Sequence, residues 1–129
     1  MRRNPYVTAL LVAFVNAYAA ADDSAFEARQ HRFLEVVSRE PSVSIYSLAA
    51  RFAVGRDIDR AIVTFDSALG SFHGYSLMGT YLRFRSILPD SLHRKVREIF
   101  RSRGLYRGDT ENHWVMHYTG LYLAAQTWP

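Results

Sequence analysis

Five residues able to bind, stack or move protons fall within two helical turns near the C-terminal end of the sequence: Asn112, His113, Trp114, His117 and Tyr118. They follow Gly108-Asp109-Thr110-Glu111, where Asp109 or Thr110 supplies an N-cap oxygen and Glu111 adds negative charge to the first turn. Helix-start chemistry explains Asp109, Thr110 and Glu111, but it does not call for the five that come after. An unpaired polar group in an interior costs about 1–3 kcal/mol, so these side chains need partners or a ligand. The helix start itself carries about half a positive charge and free N–H groups, a setting that favours an anion. The same residues also suit a packed core, with internally bonded histidines and aromatic filling. His113 and His117 have the i,i+4 spacing of a helical zinc pair, but no third ligand is identifiable, so no metal is expected.

The elements that hold these residues all read as helices. Ser24 to Glu40 suggests a first helix stopped by Pro41, and Ser42 or Ser44 caps a second that runs through Phe52 and ends at Gly55. Asp57 is placed to cap a third, whose Ile58, Ala61, Ile62, Phe65 and Leu69 recur on one face up to Gly70. Ser71 to Leu88 is apolar on more than one face, and Tyr75, Tyr81 and Phe84 in it are expected in the core. His73 and Tyr75 lie near its start, but nothing selects them over packing. Pro89-Asp90-Ser91 breaks the chain, and a basic helix with a narrow Leu92, Val96, Ile99, Phe100 stripe follows, ending at Gly104. His31 and His93 read as surface residues.

The last helix, Glu111 to about Gln126, has apolar residues around nearly its whole circumference, which predicts burial on most sides. One-faced helices at 57–69 and 91–103 therefore alternate with broadly apolar ones at 72–88 and 111–126. Outer and inner helices joined by short loops make an all-α array of antiparallel helix hairpins in two layers. No strand alternation competes, and the repetition is architectural, without a sequence repeat.

At this point the run Glu111-Asn112-His113, followed by Trp114, Met116, Tyr118, Leu121 and Ala124-Ala125-Gln126-Thr127, resembles an inner helix of the exported (α/α) toroid proteins. These are the six-hairpin glycosidases and the alginate- or heparinase-type polysaccharide lyases. The resemblance is good over 108–128 and loose over 57–129. It implies that inner-helix N-termini face a sugar-binding cleft, with Asn112 and His113 as catalytic residues and Glu111, Trp114, His117 and Tyr118 binding substrate. In a lyase, Asn112 with His113 would neutralise a uronate carboxylate, so that the neighbouring C5 proton becomes acidic enough for a His or Tyr base. Trp114 would be a stacking platform or a core anchor, with His117 and Tyr118 deeper. A hydrolase would need two carboxylates, and Glu111 is the sole nearby candidate. The chain carries at most three of the six helix pairs, so a truncated reading frame is expected, inactive by itself.

The N-terminus carries an address. Arg2 and Arg3 precede an uncharged apolar stretch from Val7 to Ala21, with small-x-small sites near Ala19 and Ala21 and then Asp22-Asp23. That is the pattern of a cleaved secretory signal peptide, and it predicts a secreted or periplasmic protein. The stretch has 15 residues; as a helix it would reach about 22 Å against a hydrocarbon core of about 30 Å, so membrane contact is expected only through the leader during export. The domain reading is a signal peptide over 1–21 and a partial α/α-toroid helical domain over 22–129.

Composition sets the remaining bounds. The chain has 129 residues, 49% of them hydrophobic, enough for a core. Zero cysteines exclude disulfides, thiolate metal sites and thiol nucleophiles. Of 16 basic residues 15 are Arg, and loss of Arg2 and Arg3 with the leader would cut the net charge from +4 to +2, so nucleic acid is not an expected partner. Residues 83–107 hold eight Lys and Arg against Asp90 and Glu98, read as a solvated outer face because the apolar stripe must turn inward. No nucleotide, P-loop, nucleophile-elbow or zincin motif occurs and no cofactor is expected. The expected partner is a polysaccharide or oligosaccharide. The competing readings are a non-catalytic helical-repeat interaction module and a small protein held by a retained leader.

Overall fold

The computed structural model describes residues 23–102 and 110–129, all of whose regular elements are helical, with no strand among them. The leader expected over 1–21, the cap at Asp109 and the basic residues Arg103 and Arg107 lie outside these residues. Helix α1 spans 23–37, α2 Ile45–Val54, α3 Ile58–Ala68, α4 Gly74–Phe84, α5 Asp90–Ser102 and α6 Glu111–Thr127. Among the described residues no helix is long and apolar enough to cross a membrane.

The punctuation residues act locally as expected, with two exceptions. Ser44 and Ser47 form a reciprocal capping box at the start of α2, and Gly55 ends it at φ +71°, a conformation open to glycine without strain. Asp57 stands before α3 but does not cap it. It adopts a left-handed φ of +46° and makes no side-chain cap bond, whereas a capping residue normally sits in the extended region. The helix expected over 71–88 is shorter: 3₁₀ turns at Leu69–Ser71 and Arg85–Ile87 flank α4. The first helix ends at 37, three residues before the expected Glu40. There Ser38 turns its hydroxyl back to the Glu35 carbonyl, and Arg51 and Arg56 close the end. Arg51 donates to the Ser38 and Glu40 carbonyls, so two acceptors in the turn that follows α1 find a cationic partner.

The core is built where α2, α3, α4 and α5 meet. Phe65, Leu48, Leu77, Met78, Leu92 and Val96 are fully buried. Phe52 meets Phe65 edge-on at 5.8 Å and Phe84 at 5.5 Å, and Phe65 stacks on Phe72. Tyr81 is buried as expected, and Phe84 is half-buried against the same cluster. His93 is not a free surface residue: its Nδ1 lies 3.0 Å from the Tyr81 hydroxyl, tying α5 to α4.

Contacts at both ends set the direction of the helices. Tyr46 and Tyr75, near the starts of α2 and α4, share a hydroxyl contact of 3.4 Å, while Phe52 and Phe84 meet near their ends. His73 and His113 stack near the starts of α4 and α6, while Tyr81 and Trp128 meet near their ends at 5.3 Å. Helices α2, α4 and α6 therefore run the same way, with α3 returning the chain from the end of α2 to the start of α4, whereas the end of α5 lies beside the end of α6, where Phe100 meets Trp128.

The burial expected around α6 is corrected. Only Gly120 and Ala124 are buried, on the side facing α4. Val115 is 68%, Tyr118 56% and Tyr122 64% exposed. All-round apolarity buries a helix only if neighbours stand on every side. Here α4 covers one flank and α5 touches the C-terminal end. Close approach to α4 depends on Gly120, where a Cβ would stand 2.8 Å from the Gly74 carbonyl carbon and the Tyr75 nitrogen.

Candidate functional site

Helix α6 starts at Thr110, whose hydroxyl accepts the His113 backbone N–H at 3.4 Å. The first turn thus exposes Glu111, Asn112 and His113 to solvent, with Trp114 partly exposed beside them. His113 projects toward the start of α4, and its ring lies parallel to that of His73, 12° between planes and 6.3 Å between centres. His73 stacks in turn near Tyr75 at 6.2 Å, and Tyr75 reaches the Tyr46 hydroxyl. A line of four rings, His113, His73, Tyr75 and Tyr46, crosses the starts of three parallel helices. It joins residues up to 67 positions apart in the chain.

The hydrogen bond with Tyr46 and partial burial both push the Tyr75 phenol above its ordinary value of 10.0. Tyr75 is therefore protonated at neutral pH, and it can donate or accept a hydrogen bond there but cannot serve as a ready phenolate base.

Of the six residues selected from sequence, the structure brings His113 into this line. Glu111, Asn112 and Trp114 occupy the same first turn of α6. His117 is half-buried and meets Tyr118 edge-on at 5.3 Å, one turn further along and outside the ring line. Tyr118 is exposed, not deep as expected. Among the described residues no group of three or more His, Asp or Glu gathers as metal ligands. Sequence reading passed over His73 and Tyr75 and missed Tyr46. The available signal was positional: each lies in the first turn of a helix, or one residue before it, as His113 does.

Two grooves open elsewhere on the molecule. One of about 470 Å³ lies between α1, α2 and the end of α4, over Ala49, Ala50 and Ala53. Another of about 400 Å³ lies between α5 and the end of α6. Asn112 and His113 line neither of these grooves and are exposed on the first turn of α6. Neither a protein-family model, nor a curated protein, nor a solved structure matches this chain.

Proposed function

We propose that this chain is a carbohydrate-binding unit of an (α/α) toroid, with the common N-terminal edge of α2, α4 and α6 as its working surface. The observation that carries the reading is the line of His113, His73, Tyr75 and Tyr46 across three helices of the same direction. Parallel α2, α4 and α6, with α3 returning the chain between the first two, suit the inner helices of a two-layer hairpin array. Flat rings suit the apolar faces of sugars, while imidazole and phenol groups suit their hydroxyls. Asn112 and the exposed N–H groups of α6 would receive a uronate carboxylate, an interaction of about 0.3–1 kcal/mol from the helix end alone. His113 or His73 is the base offered for the C5 proton, since the Tyr46 hydrogen bond and burial push the Tyr75 phenol up, away from the phenolate. Glu111 is the one carboxylate in the turn, so β-elimination suits the edge better than hydrolysis, which needs a pair. The edge is open, so the unit binds without completing turnover, and the parent's export follows from the leader pattern.

The test is calorimetric titration of uronate and neutral oligosaccharides into the wild-type protein and H73A/H113A. Uronate binding that is lost in the double variant supports the reading, and binding that is absent or unchanged overturns it. Incubation with uronate polymers, followed by ultraviolet absorbance of unsaturated product, separates elimination from hydrolysis in any form of the protein that turns over.

A second reading, an interaction module, is favoured by the exposed Val115, Tyr118 and Tyr122 on α6. It expects self-association in analytical ultracentrifugation that Y118S/Y122S removes, with no response to sugar.

A further inference from the structure

At the other end of α6, far from the histidine line, lies the groove of about 400 Å³ between α5 and α6. Its size falls within the range of small-molecule sites, about 300–1,000 Å³. The floor is apolar. Trp128 and Phe100 meet there with ring centres 6.2 Å apart, and Ala124 and Ala125 keep the α6 wall low. Trp128 is held from beneath by Tyr81 at 5.3 Å, and its backbone N–H is bonded to the Ala124 carbonyl at 2.9 Å. The Trp128 indole is thus packed against two other rings.

The rim is cationic. Arg97 and Arg101 stand one turn apart on the exposed face of α5 and both line the groove. Neither forms an ion pair or donates a hydrogen bond among the described residues. By contrast Lys95 on the same helix is engaged by both carboxylate oxygens of Asp66 at 2.7 Å, and Arg56 is engaged by Glu35 at 2.7 Å. Glu98, between the two arginines in sequence, does not line the groove and pairs with neither. The groove thus joins an aromatic floor to two unused planar forks that match an oxyanion bidentately.

We propose that this groove binds a small oxyanion carried on a six-membered ring with an apolar face, with the ring on Trp128 and Phe100 and the carboxylate or phosphate on Arg97 and Arg101. The site is independent of the carbohydrate reading, because it shares no residue with the N-terminal edge. The same chemistry can come from an aromatic acid or from an acidic sugar, and the test separates the two.

The probes are phenyl phosphate, glucuronate, inorganic phosphate and uncharged phenyl glucoside. Each is titrated while the Trp128 indole N–H resonance is followed, assigned with W114F. Ring and charge act together, so phenyl phosphate or glucuronate saturates the shift, and the tighter of the two identifies the source. Loss of both forks in R97Q/R101Q weakens binding by about tenfold or more, since each charge-assisted bond contributes strongly. R94Q, on α5 but outside the groove, leaves binding unchanged and so removes general charge attraction as the cause. Both arginines are exposed, so circular dichroism of R97Q/R101Q is expected to match wild type. Absence of saturation by either ringed anion, equal binding of inorganic phosphate, or equal weakening by R94Q overturns the proposal.

Discussion

Replacing Gly120 with alanine tests the junction on which the histidine line depends. The added Cβ would lie 2.8 Å from the Gly74 carbonyl carbon and the Tyr75 nitrogen and 3.1 Å from the Gly74 oxygen. All three are backbone atoms, so no side chain can swing away, and the start of α4 must retreat by several tenths of an ångström. Overpacking of this kind costs about 1–3 kcal/mol. Alanine also gains about 1 kcal/mol over glycine in a helix interior, which masks part of the loss. Gly79 provides the reference. It lies within α4, and a Cβ there meets nothing within 4 Å, so G79A takes the helix gain without a clash. The difference between the two variants isolates the close approach, and G120A should be less stable than G79A by about 1–3 kcal/mol. The assay is urea unfolding followed by helical circular dichroism, with the slope compared across variants. Each kcal/mol of that separation corresponds to roughly 4 °C in Tm for a chain of this length. The displaced α4 start should also part His73 from His113, visible as altered ring-proton shifts. If G120A and G79A are equally stable, α6 does not pack on α4 through Gly120, and the ring line loses its basis.

Other expectations follow from single contacts. Arg56 and, less strongly, Arg39 hold the Glu35 carboxyl below its ordinary value of 4.5. A depressed carboxyl stabilises the fold above its unfolded value and loses that contribution as pH falls through the folded one. Hydrogen exchange in α1 should therefore quicken as pH is taken below 4.5, after correction for intrinsic rates, and R56Q should return the Glu35 titration toward 4.5. An unchanged Glu35 titration in R56Q would contradict the ion pair. Y46F removes the hydroxyl that raises Tyr75, so spectrophotometric titration should show one phenol moving down toward 10.0. Leu77 has no solvent exposure, and L77A should cost about 2–5 kcal/mol in denaturant unfolding. V115A on the exposed flank of α6 should stay within about 0.5 kcal/mol of wild type, and a core-sized loss would mean that this flank is covered in solution.

The helices themselves were legible because their signals are local. The one-faced spacing of Ile58, Ala61 and Phe65 produced α3, with Ala61 and Phe65 buried and Ile58 packed against the core. Gly55 and Pro89 marked real boundaries, and Thr110 proved to be the cap of α6. What the pattern does not encode is neighbourhood. An apolar surface all round α6 states what could be covered, and among the described residues α4 and the end of α5 are what chiefly cover it, so Val115 and Tyr122 stand exposed. Asp57 misled because its residue type suits a cap, while its backbone is left-handed and not in the extended region that capping uses. His93 misled for a related reason, since its partner Tyr81 lies across a proline break. The candidate ring line was legible from one end only. His113 and its turn stood out by composition, but His73, Tyr75 and Tyr46 join it only because three helices point the same way.

The most direct test is a nitrogen-15 chemical-shift map during titration with a uronate oligosaccharide. The carbohydrate account predicts saturable shifts clustered at Tyr46, His73, Tyr75, Asn112 and His113, on the shared starts of α2, α4 and α6. Shifts confined to other surfaces, or no saturable shift at that edge, would contradict it.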